Sequence, residues 1–482
     1  MKTVRILIYT DYDQINLDVE LFSWGITELK KMIKFKTRRF VDVQIDWIYR
    51  FASKSVPTTL TRALLSQYHQ LWVLGFNARP EKPYQLDSAE VAALSEWMDK
   101  PDGNAGGLLV AGDHAAGFCD IGDPKTFSAH GRSLGELMKR AGQLRVWEGP
   151  PTACTDKPLN ERDNFNTCEG TDPEQLDDIA SQSDGAAANL LHLRGPLHRL
   201  FWFKNDARGE LVPILKFPDH PHESSLKIPT DLDDEWPAKQ PTPEIIVKVR
   251  DKRFPVEARE YPVLIAYDGH KKGVGRIVVD SSFHHYINTN MESLPERDFN
   301  GNPTPDSDLD QIAQFFANLA LWLTPKALGL KIKLDLLYQI ATHPDVFEVR
   351  GTGLKKLGSV GRYALRRLMN ASDAYRLLAV ENADRDDNRV DNLVDAILLG
   401  STTSAKFSES ERTVLLGAVI EAHHQYFEAQ GAITPDWLET RPRTLDMIKQ
   451  GIERVAPLLP SVREKLDPLY AQAELDFRKI GL

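Results

Sequence analysis

The chain has 482 residues, 42% hydrophobic and 27% charged, the balance of a globular protein long enough for two or three domains. A formal net charge of −10 argues against nonspecific nucleic-acid binding, which needs surplus lysine and arginine to displace counterions. Three cysteines, Cys119, Cys154 and Cys168, with no pair at C-x-x-C spacing, support neither a disulfide framework nor a zinc knuckle.

The first 150 residues alternate strands with helices. VRILIYT (4–10) is a continuous apolar and β-branched run, the pattern of a strand covered on both faces. LFSWGITELKKMIK (21–34) has helical spacing, with Leu21, Trp24, Leu29 and Ile33 available for one face. VDVQIDWIY (41–49) alternates as a second strand, a short helix follows around LTRALLSQY, and LWVLGF (71–76) is a third, buried strand. DSAEVAALSEWMDK (87–100) starts with Asp87 or Ser88 as cap and Glu90 in place for a capping box. After the breaker-rich PDGNAGG comes the strand LLVAG. This alternation predicts a doubly wound, mostly parallel α/β sheet.

From about 118 to 260, proline- and glycine-rich stretches such as PTDLDDEWPAKQPTPE predict an inserted, irregular, partly antiparallel region. YPVLIAYDGH (261–270) and GRIVVDSSFHH (275–285) read as a strand pair rejoining the sheet, and DLDQIAQFFANLALWL (308–323) as a helix stopped near Pro325. The expected first domain is therefore 1–325. Beyond it, helical segments such as RVDNLVDAILL and ERTVLLGAVIEAHHQYF predict an all-helical domain over 330–482, with no repeat at a fixed period. MKTVRILIYTD reads as a strand rather than an apolar leader, and no stretch approaches ~20 apolar residues, so the expectation is a cytoplasmic protein outside the membrane.

In open α/β sheets ligands bind beyond the carboxyl ends of the strands, so polar strand tips are the first candidates. Three stand out. LLVAGDHAAG (108–117) delivers Asp113 and His114 at the end of an apolar run. FPDHPHES (217–224) carries Asp219, His220, His222 and Glu223. VDSSFHHYINTN (279–290) carries Asp280, His284 and His285. Nine of the 13 histidines fall between 114 and 285, in the α/β part and not in the helical tail.

His220 and His222 flank Pro221, and in extended backbone residues i and i+2 project to one side. With Asp219, and with Asp113 or Asp280 as a further oxygen donor, this N and O set suits zinc or a similar divalent ion, which would acidify a bound water. Histidines in turns also cap or bond backbone, and H-x-H triplets arise by chance, so both readings stand. His114, His284 and His285 are candidates for acid–base work near neutral pH, with Asp280 available to orient an imidazole; a core histidine bonded to backbone is the other reading of the pair. Asp11 and Asp13 follow the first strand and Asn77 the third; these, with Glu223, are candidate substrate-binding residues, or else parts of solvated loops. Cys119 lies in the acidic GFCDIGD, a poor setting for a thiolate nucleophile.

VRILIYTD, LWVLGF, the helix ending in WMDK, GGLLVAGDHAA, and GRIVVDSSFHH ahead of FFANLALWLTP together make a pattern. It resembles the ThuA-like branch of the class I glutamine amidotransferase-like superfamily over roughly residues 1–325. The resemblance implies a flavodoxin-like sheet without the amidotransferase cysteine, Asp113 sitting about where that cysteine would be. It also implicates His114 by position, and His284 or His285 less closely, in chemistry on sugar-like substrates. The PDHPHE segment and the helical tail depart from the family pattern.

Two functions follow as expectations. One is a hydrolase or lyase of a small polar substrate, such as a carbohydrate derivative, using His/Asp acid–base chemistry with a divalent metal such as zinc. The other is a non-catalytic ligand sensor or scaffold whose helical domain binds a protein partner or self-associates. An active glutamine amidotransferase is excluded by the lack of a G-x-C-x-G elbow.

Overall fold

The structure is a computed structural model. It describes residues 2–10, 25–38, 41–51, 57–75, 86–100, 103–111, 143–146, 174–175, 198–205, 210–218, 224–227, 243–250, 260–280, 283–288, 291, 296–341, 357–362, 409–430, 449–454 and 457. The chain divides into two compact units, Thr3–Lys326 and Ala327–Leu482, the latter grouped with Met1–Lys2.

The first unit is an α/β fold around a seven-stranded, mostly parallel sheet. β1 (Lys2–Thr10), β3 (Gln70–Leu74), β4 (Gly107–Ala111) and β13 (Ile277–Asp280) run parallel at its centre. β2 (Val41–Tyr49) flanks β1, while β12 (Glu260–Tyr267) and β11 (Glu244–Arg250) complete the other side antiparallel, giving the order β11-β12-β13-β4-β3-β1-β2. All residues of β3, β4 and β13 are buried, as their unbroken apolar runs require when both faces are covered. β2, at the sheet's end, alternates buried Val41, Val43 and Ile45 with exposed Asp42, Gln44 and Asp46.

On one face, Leu7, Tyr9, Val73, Val110 and Val279 join Leu65 of the short α2 (Arg62–Leu65) and Val91, Leu94 and Trp97 of α3 (Ser88–Met98) in one core. Asp87 caps α3 and Glu90 closes the expected capping box. The other face carries α1 (Thr27–Thr37) and α4 (Asp308–Trp322). Ser307 caps α4 through its hydroxyl, and Asp308 lies in the helix's first turn. α1 begins later than the apolar spacing suggests, at Thr27, with Leu29 and Ile33 buried as expected; Leu21 and Trp24 lie outside the described residues.

The paired glycines at the start of β4 solve a packing problem. A Cβ on Gly107 would come 2.0 Å from the Leu323 carbonyl, and one on Gly106 would meet the Trp97 ring at 2.1 Å. Helices on both faces thus press against the amino end of the central strand.

Short antiparallel ladders come from the inserted region. β5 (Gln143–Val146) pairs β10 (Ser224–Lys227), β6 (Glu174–Gln175) pairs β9 (Lys216–Phe217), and β7 (Trp202–Asn205) pairs β8 (Glu210–Pro213). The 3₁₀ segment Arg199–Phe201, β7 and β9 pack on α4: Asn318 Nδ2 donates to the Leu200 carbonyl at 2.9 Å, and Leu215 N donates to Gln311 Oε1 at 2.7 Å. α4 is therefore buried on most of its circumference.

In the second unit the described segments include α5 (Lys326–Ala341) from Ala327 onward, helical residues 357–362, α6 (Glu409–Gln430) and helical residues 449–454. Residues 413–420 of α6 are buried without a break, marking it as a helix enclosed on all sides. Among the described residues no helix is long and apolar enough to cross a membrane.

Candidate functional site

β13 ends at Asp280, opposite Ala111 of β4 on one side and Leu264 of β12 on the other. Side-chain alternation sends Asp280 to the α1/α4 face, away from the Ile277/Val279 core. The chain then turns through the 3₁₀ segment Phe283–Tyr286 and brings two donors back to the carboxylate. His285 Nδ1 lies 2.8 Å from Asp280 Oδ1, and the Tyr286 hydroxyl donates to Oδ2 at 2.8 Å. Asp280, His285 and Tyr286 have no solvent exposure.

A buried carboxylate is costly unless charge-assisted hydrogen bonds replace water, and here each oxygen receives one. A carboxylate only accepts, so the imidazole hydrogen sits on Nδ1. Burial, and then the adjacent Asp280 charge, push the Tyr286 phenol well above its ordinary range, so it stays a neutral donor. Aromatic rings wall the cluster. The Phe217 ring meets His285 edge-on at 4.6 Å and Phe315 at 5.0 Å, while Tyr286 lies 5.6 Å from Phe316 and 6.3 Å from Trp72. This arrangement pins the turn to the strand tip. The His285 ring is fully enclosed.

The same segment continues to α1. Ile26, at the N-cap, has no side chain to satisfy the helix's first N–H groups. Asn288, buried and 260 positions away, supplies the missing cap: its Oδ1 accepts from Glu28 N at 3.0 Å, and its Nδ2 donates to Thr27 Oγ1 at 2.8 Å. Its backbone N–H donates to the Gly25 carbonyl at 2.7 Å. Arg297 pairs with Glu28 Oε2 at 2.7 Å and donates to the Met291 carbonyl at 3.0 Å. Nothing in the local sequence announces Asn288, because its partner is set by tertiary packing.

A second buried polar cluster lies on the opposite face. Arg50 grips Glu90 with both terminal nitrogens, at 2.6 and 2.9 Å, and also donates to the Tyr9 hydroxyl, which donates to the Thr58 carbonyl at 2.9 Å. Burial opposes the Arg50 charge, but the Glu90 and Tyr9 contacts outweigh it and leave the guanidinium pKa raised. Glu90 also accepts from Leu60 N at 2.9 Å and Asp87 N at 3.0 Å, so its oxygens are committed to architecture. Reading Glu90 as a cap missed this second role, and Arg50 gave no motif.

Of the sequence-derived candidates, Asp280 and His285 are described in full and are hydrogen-bonded to each other; His284 is described by its backbone in the 3₁₀ turn. Asp11, Asp13, Asn77, Asp113, His114, Asp219, His220, His222 and Glu223 lie outside the described residues, as do the three cysteines. The residues that directly precede them in the chain are informative. Thr10, before Asp11, closes β1; Gly75 N donates to the Ala111 carbonyl at 3.0 Å. Ala111, two residues before Asp113, pairs with Asp280 in the ladder. Phe217, two residues before Asp219, packs on His285. Among the described residues, no group of three or more His, Cys, Asp or Glu is arranged to hold a metal ion.

Comparison with protein-family models finds no match, and comparison with curated proteins and with solved structures finds no significant match.

Proposed function

We propose that the α/β unit is a flavodoxin-like module of the ThuA-like kind that acts as a hydrolase or lyase on a small polar substrate at the carboxyl edge of its sheet. The strand order supports the fold: β2-β1-β3-β4-β13 reads as the 2-1-3-4-5 order of flavodoxin-like sheets, whose ligands bind beyond the strands' carboxyl ends. One observation carries the site. Ala111 and Phe217, each two residues ahead of an Asp/His segment, both meet the Asp280–His285 pair. Three stretches far apart in sequence, represented by Ala111, Phe217 and Asp280, therefore meet around that pair.

In this reading His114 and His284 do the acid–base work, and His285, held by Asp280, is a positioning residue that sets the tip. His220, His222 and Asp219 are the metal candidates. Both Asp280 oxygens already accept hydrogen bonds from His285 and Tyr286, which favours Asp113 as any further oxygen ligand. Zinc so held would supply an acidified water.

Protein loaded with zinc and dialysed tests this. The expected result is stoichiometric zinc that is lost in a His220→Ala, His222→Ala double variant. On a panel of monosaccharide derivatives, His114→Ala should lower turnover ~100-fold or more. Zinc content unchanged in the double variant, with turnover unchanged in His114→Ala, refutes the site.

The complete enclosure of Asp280, His285 and Tyr286 favours a second reading, in which the edge binds a small ligand without turnover and an all-helical domain over residues 330–482 carries the signal to a protein partner or to a second copy. Saturable ligand binding with no product over the same panel distinguishes it.

A further inference from the structure

The amino end of a helix following a parallel strand is ordinarily a ready anion site, because its first N–H groups and its dipole point at the ligand. In this protein that position is filled from within. The Asn288 carboxamide accepts from Glu28 N at 3.0 Å and donates to Thr27 Oγ1 at 2.8 Å, with its side chain fully buried. The Glu28 carboxylate adds negative charge in the first turn of α1, and Arg297 and Lys31 are drawn to it at 2.7 and 3.0 Å. Arg50, beside the end of β1, is bound to Glu90 at 2.6 Å. Arg297, Lys31 and Arg50 are thus each engaged by an acid of the same chain.

We infer that Asn288 acts as an internal substitute for an anionic ligand, so that the site at this edge takes uncharged or cationic polar substrates and excludes phosphorylated ones. The inference rests on the carboxyl edge being the ligand site, and it narrows the substrate class for that site. A phosphate group approaching α1 would have to displace a buried carboxamide from two hydrogen bonds, while a third, 2.7 Å from Asn288 N to the Gly25 carbonyl, ties the Asn288 backbone in place beside the helix. It would also come to rest against the Glu28 carboxylate. An uncharged hydroxyl-bearing ligand meets neither obstacle.

Inorganic phosphate is the probe, followed by calorimetric titration and by the melting temperature of the full chain. The wild-type protein should show no saturable binding tighter than ~1 mM. Asn288→Gly, which withdraws the amide and leaves the helix end open, should gain phosphate binding and a phosphate-dependent rise in melting temperature. Asn288→Asp covers the case in which the glycine variant does not fold: a carboxylate is a good helix cap, so this variant should fold and remain indifferent to phosphate. Wild-type binding of phosphate that disappears in Asn288→Asp would show α1 to be an open anion site and overturn the inference. These results are independent of His114→Ala turnover, so the ligand class and the chemistry can fail separately.

Discussion

The Asp280 carboxylate serves two donors that have no water to turn to, and its removal should be felt in proportion. Asp280→Ala leaves the His285 Nδ1–H and the Tyr286 hydroxyl buried without their acceptor, which should cost about 3 kcal/mol in urea unfolding, since each stranded donor carries a desolvation penalty of roughly 1–3 kcal/mol. Asp280→Asn keeps an acceptor for His285, and the Tyr286 hydroxyl can rotate to accept from the new amide; about 1 kcal/mol is expected. Equal losses in the two variants would mean that charge rather than hydrogen bonding holds the turn. The Tyr286 phenol makes a separate prediction in pH. Its pKa is raised in the folded state by burial and by Asp280, so above pH ~10 the unfolded chain releases this proton while the folded chain keeps it. Protons bound then favour the native state less with each pH step: stability is full below pH ~10 and falls as pH rises beyond it. Unfolding free energies measured from pH 8 to 11 should decline at the alkaline end, and the decline should be shallower in Tyr286→Phe. Identical slopes would remove Tyr286 as the source.

At the scale of elements, Gly107 tests how closely α4 must approach the sheet. An added methyl group would meet the Leu323 carbonyl, which belongs to backbone and cannot swing aside, so Gly107→Ala should destabilise by about 2 kcal/mol or more. Gly106→Ala pushes instead on the Trp97 ring, which can tilt, and should cost less in the same melting experiment. These glycines belong to the segment GGLLVAGDHAA, and they do their packing at the amino end of β4. The elements legible in the sequence are those whose signal is local. The unbroken apolar runs of β1, β3 and β4, the Asp87/Glu90 capping box and the α4 periodicity each depend on neighbours within a few positions. The ladders β5/β10 and β6/β9 were not legible, because each strand has four residues or fewer and its partner lies tens of positions away. The site divides in the same way. The pairing of Asp280 with His285 spans five positions and could be foreseen as a geometric option, whereas Asn288 on α1 and Arg50 on Glu90 join segments that only the completed sheet brings together.

For the whole molecule, the issue is whether two compact units with their own interiors behave as two thermodynamic bodies. The first unit has the sheet core around Leu7, Val73, Val110 and Val279; the second has Leu415, Leu416, Val419 and Ile420 buried along α6. Within the second unit, helical residues 357–362 approach α6 at two glycines. A Cβ on Gly361 would lie 1.7 Å from the Thr413 carbonyl, and one on Gly417 would lie 1.9 Å from the Leu357 carbonyl. The contact is reciprocal, backbone against backbone, so neither helix can absorb a side chain by changing rotamer. Gly417→Val should force the pair apart and cost about 2 kcal/mol or more, through overpacking rather than helix propensity, because valine is the better helix former of the two. A loss of that size corresponds to a fall of ~5 °C in melting temperature for a unit of this size. A domain with its own core can unfold on its own, so scanning calorimetry should resolve two transitions, with Gly417→Val lowering one and Gly107→Ala the other. If either substitution moves both transitions together, the units share a cooperative interior, and anything that binds and stabilises the first unit would then stabilise the second as well.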